Sequence, residues 1–167
     1  MLGRGSLFCV VLALGGCTKR FDGHIYRGEG FAFAVQPLPE RWQRIKQPDA
    51  ALAFRDADSG GSILVTARCG MNEDDVPLGA LTQHLFIDFT KREIEEQTVV
   101  PFDGREAMHT MMTADFDGVA MRYDAWVMKK DGCVYDILYF APPARFERGR
   151  PAFDELVRGF TTAEPSE

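Results

Sequence analysis

Four kinds of side chain in this sequence could do chemistry, and their spacing separates them. Cys17 is a thiol placed directly after Leu14, Gly15 and Gly16. Upstream, Arg4 supplies a positive charge and Leu7 to Leu14 is an unbroken apolar run. Cys69 and Cys133 form a second, widely spaced pair. His84 and Asp88 stand four apart, a helical spacing that could place both on one face and ligate a metal. Two ligands without a wider Cys or His cluster make a poor site, so hydrogen bonding to a neighbour is the expected fate. His24 falls in a polar segment. His109 falls in the middle of an expected strand, where packing is the expected role. The run Asp56-Ala57-Asp58-Ser59-Gly60 begins like a calcium loop but has Gly60 at a ligand position and Ala67 where a glutamate is needed. It reads as a polar hairpin tip. No Gly-x-Ser-x-Gly elbow exists, and no nucleophile stands with an oriented base. The expectation is therefore no catalytic residue, no metal and no cofactor.

A positive start, a short apolar stretch and small residues before a cut site make an exported leader. With the cysteine directly after Gly15 and Gly16, residues 1–16 resemble a bacterial lipoprotein signal peptide, and Leu14, Gly15 and Gly16 its lipobox. The resemblance implies that Cys17 receives a diacylglyceryl thioether and a further fatty acyl chain such as palmitate. The apolar run is too short to span a bilayer, which takes roughly 20 residues. Each buried methylene contributes about 0.8 kcal/mol, so two or more chains anchor stably. Thr18 stands where aspartate would retain a lipoprotein at the inner membrane. The periplasmic face of the outer membrane is the expected location.

The remaining sequence suits one domain. The chain has a net charge of −6, and cleavage would remove Arg4. Its basic residues form no run, so nucleic acid is not an expected partner. Net negative charge also argues against electrostatic docking on an anionic leaflet. Cys69 and Cys133, an even pair in an exported domain, point to a disulfide; the alternative is two separately buried thiols. A bridge would close a loop of about 65 residues and stabilise by about 4 kcal/mol.

The elements follow from period. Residues 17–30 read as lipid anchor and tether, and Phe31 to Val35 as a strand stopped by Pro37 and Pro39. Trp42 and Ile45 suit a short edge strand. Ala51 to Arg55 and Ser62 to Cys69 suit a hairpin around Ser59-Gly60-Gly61. Glu73, Asp74 and Asp75 read as helix-start acids. Pro77 and the stripe Leu78, Leu81, Leu85, Phe89 then predict a helix running to about Gln97, with Lys91, Arg92, Glu95 and Glu96 on its polar side. Asp117-Gly118 and Asp131-Gly132 predict type I′ turns between three strands. Those turns pair Met112 with Tyr123, Thr110 with Ala125, His109 with Trp126, Tyr123 with Phe140, Ala125 with Leu138, and Trp126 with Ile137. Met108, Met111, Met112, Met121 and Met128 cluster on this meander, and core filling is their expected use. Large apolar groups on both faces require cover on both. The long helix would cover one. A helix from Pro151, carrying Phe153, Leu156, Val157 and Phe160, would cover the other. The expected fold class is α+β, an antiparallel sheet covered by helices on both faces. The domain would occupy residues 31–162, with a tail at 163–167.

Lys130-Asp131-Gly132-Cys133-Val134-Tyr135, then Phe140-Ala141-Pro142-Pro143-Ala144-Arg145-Phe146, then the spaced Phe153 and Phe160, resemble the PsbP-like family. Phe102-Asp103-Gly104-Arg105 matches its lead-in to the meander. The likeness covers Phe31 to Thr162. That family includes an extrinsic subunit of photosystem II, a Ran-binding nuclear protein and many small bacterial lipoproteins. The resemblance implies an α-β-α sandwich and an adaptor that docks on larger assemblies, not an enzyme. Tyr135, Pro142, Pro143, Phe146 and Phe160 match as fold-keeping positions, and no functional residue carries over. The expectation is a non-catalytic outer-membrane lipoprotein acting as adaptor or scaffold for an envelope protein assembly. The alternative is a small-molecule or lipid-binding periplasmic lipoprotein. An adaptor should expose an apolar patch, and a binder should enclose a pocket.

Overall fold

The structure, a computed structural model, describes residues 20–70 and 76–163. Cys17, the lipobox and Glu73 to Asp75 lie outside the described residues.

Two antiparallel sheets form. The smaller joins β1 (Ile25–Arg27), β2 (Ala32–Ala34) and β10 (Thr161–Ala163) in the order β1-β2-β10. The larger has seven strands: β3 (Trp42–Arg44), β4 (Leu52–Asp56), β5 (Gly61–Cys69), β6 (Thr90–Phe102), β7 (Arg105–Phe116), β8 (Val119–Lys130) and β9 (Cys133–Ala141). Their order is β3-β4-β5-β9-β8-β7-β6. The helices are α1 (Leu78–Leu85) and α2 (Phe146–Arg158), the latter preceded by a 3-10 turn at Pro143–Arg145.

The meander has the register its turns predict. Met112 pairs with Tyr123, Thr110 with Ala125, and His109 with Trp126. Tyr123 pairs with Phe140, Ala125 with Leu138, and Trp126 with Ile137. Asp117 and Gly118 have φ of 50° and 77°, and Asp131 and Gly132 have 52° and 71°. Positive φ at both centres gives the twist that matches paired strands. Asp103-Gly104 makes a third such turn, at 46° and 73°, between β6 and β7.

Three expectations need correction. The helix expected up to Gln97 ends at Leu85, and Lys91, Arg92, Glu95 and Glu96 belong to β6. β6 gains a long ladder against β7, broken by two register shifts between Thr90 and Glu96, which outweighs the helical preference of a polar segment. The closing helix begins at Phe146, so Pro151 stands inside it. Residues 25–27, inside the expected tether, pair with β2 and bury Tyr26.

Alternation along β9 divides the packing. Tyr135, Ile137 and Tyr139 point into the larger core with Phe33, Phe146, Phe153, Leu156 and Phe160. α2 lies against Tyr139, whose hydroxyl donates to the Phe146 carbonyl at 2.8 Å. Gly149 permits this approach, since a Cβ there would fall 2.4 Å from the Tyr139 hydroxyl. Burial pushes the Tyr139 phenol up to about 12. Leu138 packs instead with Phe86, Met112, Tyr123 and Ala125, and Val134 with Leu81 and Val127. The architecture is dominated by its sheet.

Cys69 and Cys133 are bonded, with Cα atoms 4.0 Å apart. They face each other at the end of the β5–β9 ladder, beside the Gly70 N–H that donates to the Gly132 carbonyl.

Candidate functional site

Two features of the meander qualify. The first lies where α2 meets the outer strands. Cross-strand register sets Asp124 and Trp126 beside Met111 and His109. α2 adds Arg150 and Asp154, one turn apart. Asp124 is 2% exposed. Its Oδ1 accepts from Trp126 Nε1 at 3.1 Å and lies 2.9 Å from His109 Nε2. Arg150 Nε is 3.6 Å from Asp124 Oδ2 and 3.8 Å from Asp154 Oδ1. The His109 ring stacks on Trp126 at 4.4 Å. Burial raises the Asp154 carboxyl above the usual aspartate range; Arg150 opposes the shift and the Asp124 charge adds to it. Nearby, Arg122 bonds Glu95 at 2.6 Å and Glu147 at 2.8 Å, with its guanidinium over the Phe146 ring. The Arg122 hydrogen bond holds Glu95 below its ordinary range, against burial. A groove of about 530 Å³ opens beside this cluster, walled by Phe102, Trp126, Val157 and Phe160 and edged by Asp103 and Asp154.

A histidine oriented by a buried carboxylate is half of a general-base device. Here Nε2 is the nitrogen held by Asp124, and among the described residues no serine, threonine or cysteine side chain bonds His109. The arrangement ties α2 to β7 and β8.

The second feature is the tip between β7 and β8. Phe116 and Val119 pair across the Asp117-Gly118 turn and are 45% and 59% exposed. Phe89 packs on Phe116 at 5.0 Å and on Tyr123 at 4.9 Å. Tyr123 meets Phe140 at 5.8 Å. A file of rings thus runs from the sheet to the surface. Ile87, 67% exposed, follows α1 in the turn that leads to Phe89.

The other residues singled out in the sequence disperse. His24 Nδ1 lies 2.6 Å from the Val35 carbonyl oxygen. His84 lies in the last turn of α1 and Asp88 beyond its end, so they share no helical face. Asp56 is buried and accepts from the Ser59 hydroxyl at 2.8 Å and from the Asp58 N–H at 3.1 Å, closing the β4–β5 turn. Met111, Met112 and Met128 fill core. Among the described residues no three His, Cys, Asp or Glu side chains converge as a metal site. Nothing in their spacing marks Asp124, Arg150 and Asp154 as a cluster. A charged residue between Tyr123 and Trp126 in an otherwise apolar strand was the available signal for the first.

No protein-family model matches the chain, and no curated protein matches it in sequence. Solved structures do. Cyanobacterial PsbP (CyanoP) from Synechocystis sp. PCC 6803 aligns with TM-score 0.57 and 14% identity, over 90% of this chain and 99% of that one. LpqN of Mycobacterium tuberculosis, described as involved in cell envelope biogenesis, aligns with TM-score 0.57 and 13% identity, over 85% and 93%. A protein from Bacteroides thetaiotaomicron VPI-5482 aligns with TM-score 0.56 and 12% identity, over 88% of this chain and 51% of that one. At such identity the likeness concerns architecture alone: the fold is PsbP-like.

Proposed function

We propose that this chain is a non-catalytic lipoprotein, anchored through Cys17 at the periplasmic face of the outer membrane. Its PsbP-like domain, with helices on opposite faces of the sheet, serves as an adaptor or scaffold for an envelope protein assembly. The carrying observation is the exposed tip. Single exposed apolar residues are ordinary, but contiguous ones mark contact surfaces. Phe116 and Val119 are direct neighbours, and Phe89 backs Phe116. The fold shared with a mycobacterial envelope-biogenesis protein is consistent with an envelope role. The aromatic groove beside Trp126 favours a second reading, binding of a small apolar ligand.

A photo-reactive side chain at Val119 tests the first reading. It should give a discrete protein adduct in living cells. Phe116→Asp should remove the adduct while shifting stability by no more than about 1 kcal/mol, as for a surface site. No adduct at Val119, or one indifferent to Phe116→Asp, would refute the tip as the contact.

A further inference from the structure

At the β3 edge of the large sheet lies a groove of about 670 Å³, walled by Tyr26, Arg44, Ile45, Lys46 and Ala53. The chain from Arg41 to Pro48 carries Arg41, Arg44 and Lys46 and no carboxylate. Arg41 is engaged by Asp56 at 3.7 Å and Asp58 at 3.8 Å. Among the described residues, no carboxylate reaches Arg44 or Lys46 within ion-pair distance. Asp49 follows in the same connection, in an exposed turn of positive φ. In a chain of net charge −6, two cations that no described carboxylate pairs flank an apolar groove.

The groove also lies where the N-terminal segment joins the domain. Phe21 packs on Phe54 at 6.3 Å, and the Arg44 guanidinium sits 5.0 Å above the Phe21 ring. Four peptide steps separate Cys17 from Phe21, a reach of at most about 14 Å. If Cys17 is acylated, the groove is leashed to the bilayer within about two Debye lengths at physiological salt, each about 8 Å. Net charge then matters less than the sign of the nearest face.

We propose that this groove seats the phosphate-bearing headgroup of an anionic membrane phospholipid. Arg44 and Lys46 meet the phosphate, and Ile45 enters the interface. The β3 edge faces the bilayer, and the β6 edge, at the opposite end of the sheet, points away from it. The inference rests on the lipid-anchor reading.

The test uses the full chain, expressed in a bacterial host and purified from membranes in detergent. Mass spectrometry of the N-terminal peptide reads the acyl group. The protein is then placed in vesicles of phosphatidylcholine alone or with phosphatidylglycerol. A membrane-impermeant amine reagent measures Lys46 against Lys91, an 80% exposed lysine on the opposite edge. Lys46 should react roughly fivefold more slowly on the anionic vesicles, the factor expected for one cation near a charged surface. Lys91 should not change. Arg44→Glu should abolish the protection while the domain still melts cooperatively, since Arg44 is exposed and gives up only its place over the Phe21 ring among the contacts described above. Equal Lys46 reactivity in both vesicles would overturn the groove. Protection by inorganic phosphate in detergent, equal to that on vesicles, would also overturn it by showing a soluble-anion site. An unmodified Cys17 would overturn the anchor, read separately on the same sample.

Discussion

The two faces of the large sheet are built to different standards. One carries Tyr139, Phe146, Phe153 and Leu156 in a single core with Phe33 and Phe160, beneath α2 and the small sheet. The other packs Phe86, Met112, Tyr123 and Leu138 in one small cluster and Leu81, Val127 and Val134 in another, and leaves Ile87 in solvent. Fully burying one large apolar side chain contributes about 1.5–3 kcal/mol. The first face therefore holds most of the stability, and the second has apolar surface left over for contact.

Paired truncations break or sharpen this contrast. Phe153→Ala should cost about 5 kcal/mol, the upper range for a buried aromatic, and Leu81→Ala about 2 kcal/mol. Urea unfolding of both variants measures the gap. Equal losses would mean that α1 is as integral as α2. The disulfide comes next. Cys69→Ala with Cys133→Ala should lower stability by about 4 kcal/mol, and a thiol assay on the unfolded wild-type domain should find neither cysteine free. An unchanged melting temperature on reduction would show that the β5–β9 ladder holds without it.

The smallest effect concerns pH. Asp103 accepts from Lys130 at 2.9 Å, from the Thr161 and Thr162 hydroxyls at 2.8 Å each, and from the Thr162 N–H at 2.9 Å. Burial alone would raise its carboxyl, but these donors outweigh it and hold the group below the usual range. Its contribution is thus present above the unfolded value of about 4 and lost as pH falls through the folded value. Asp103→Asn should cost about 1–3 kcal/mol at neutral pH and flatten the loss of stability in acid. A variant with an unaltered acid limb would show that Asp103 does not carry it.

The meander was legible because its turns are. Asp-Gly pairs at 117–118 and 131–132 fix registers by backbone geometry, and every partner follows from them. The same logic was available at Asp103-Gly104 and would have exposed β6. What concealed β6 was solvent on both of its faces. From Thr90 to Thr98 nearly every residue is exposed, so no alternation is written there, and the polar residues continue the stripe of Leu78, Leu81 and Leu85 as a helix would. Pro151 misled because proline favours the first helical turn, whereas this helix starts at Phe146. The cluster around Asp124 was hidden for another reason. Its members come from β7, β8 and α2, and only packing brings His109, Asp124 and Arg150 together.

The strand order has a kinetic consequence. β3, β4 and β5 pair as neighbours in sequence, and so do β6, β7, β8 and β9. One seam, β5 against β9, joins these two local units, and its end partners Cys69 and Cys133 are 64 residues apart. Short-range hairpins close quickly, whereas a seam with that separation meets a larger loop-closure cost. The expected order is early pairing within each unit and late closure of the seam that turns two meanders into one sheet.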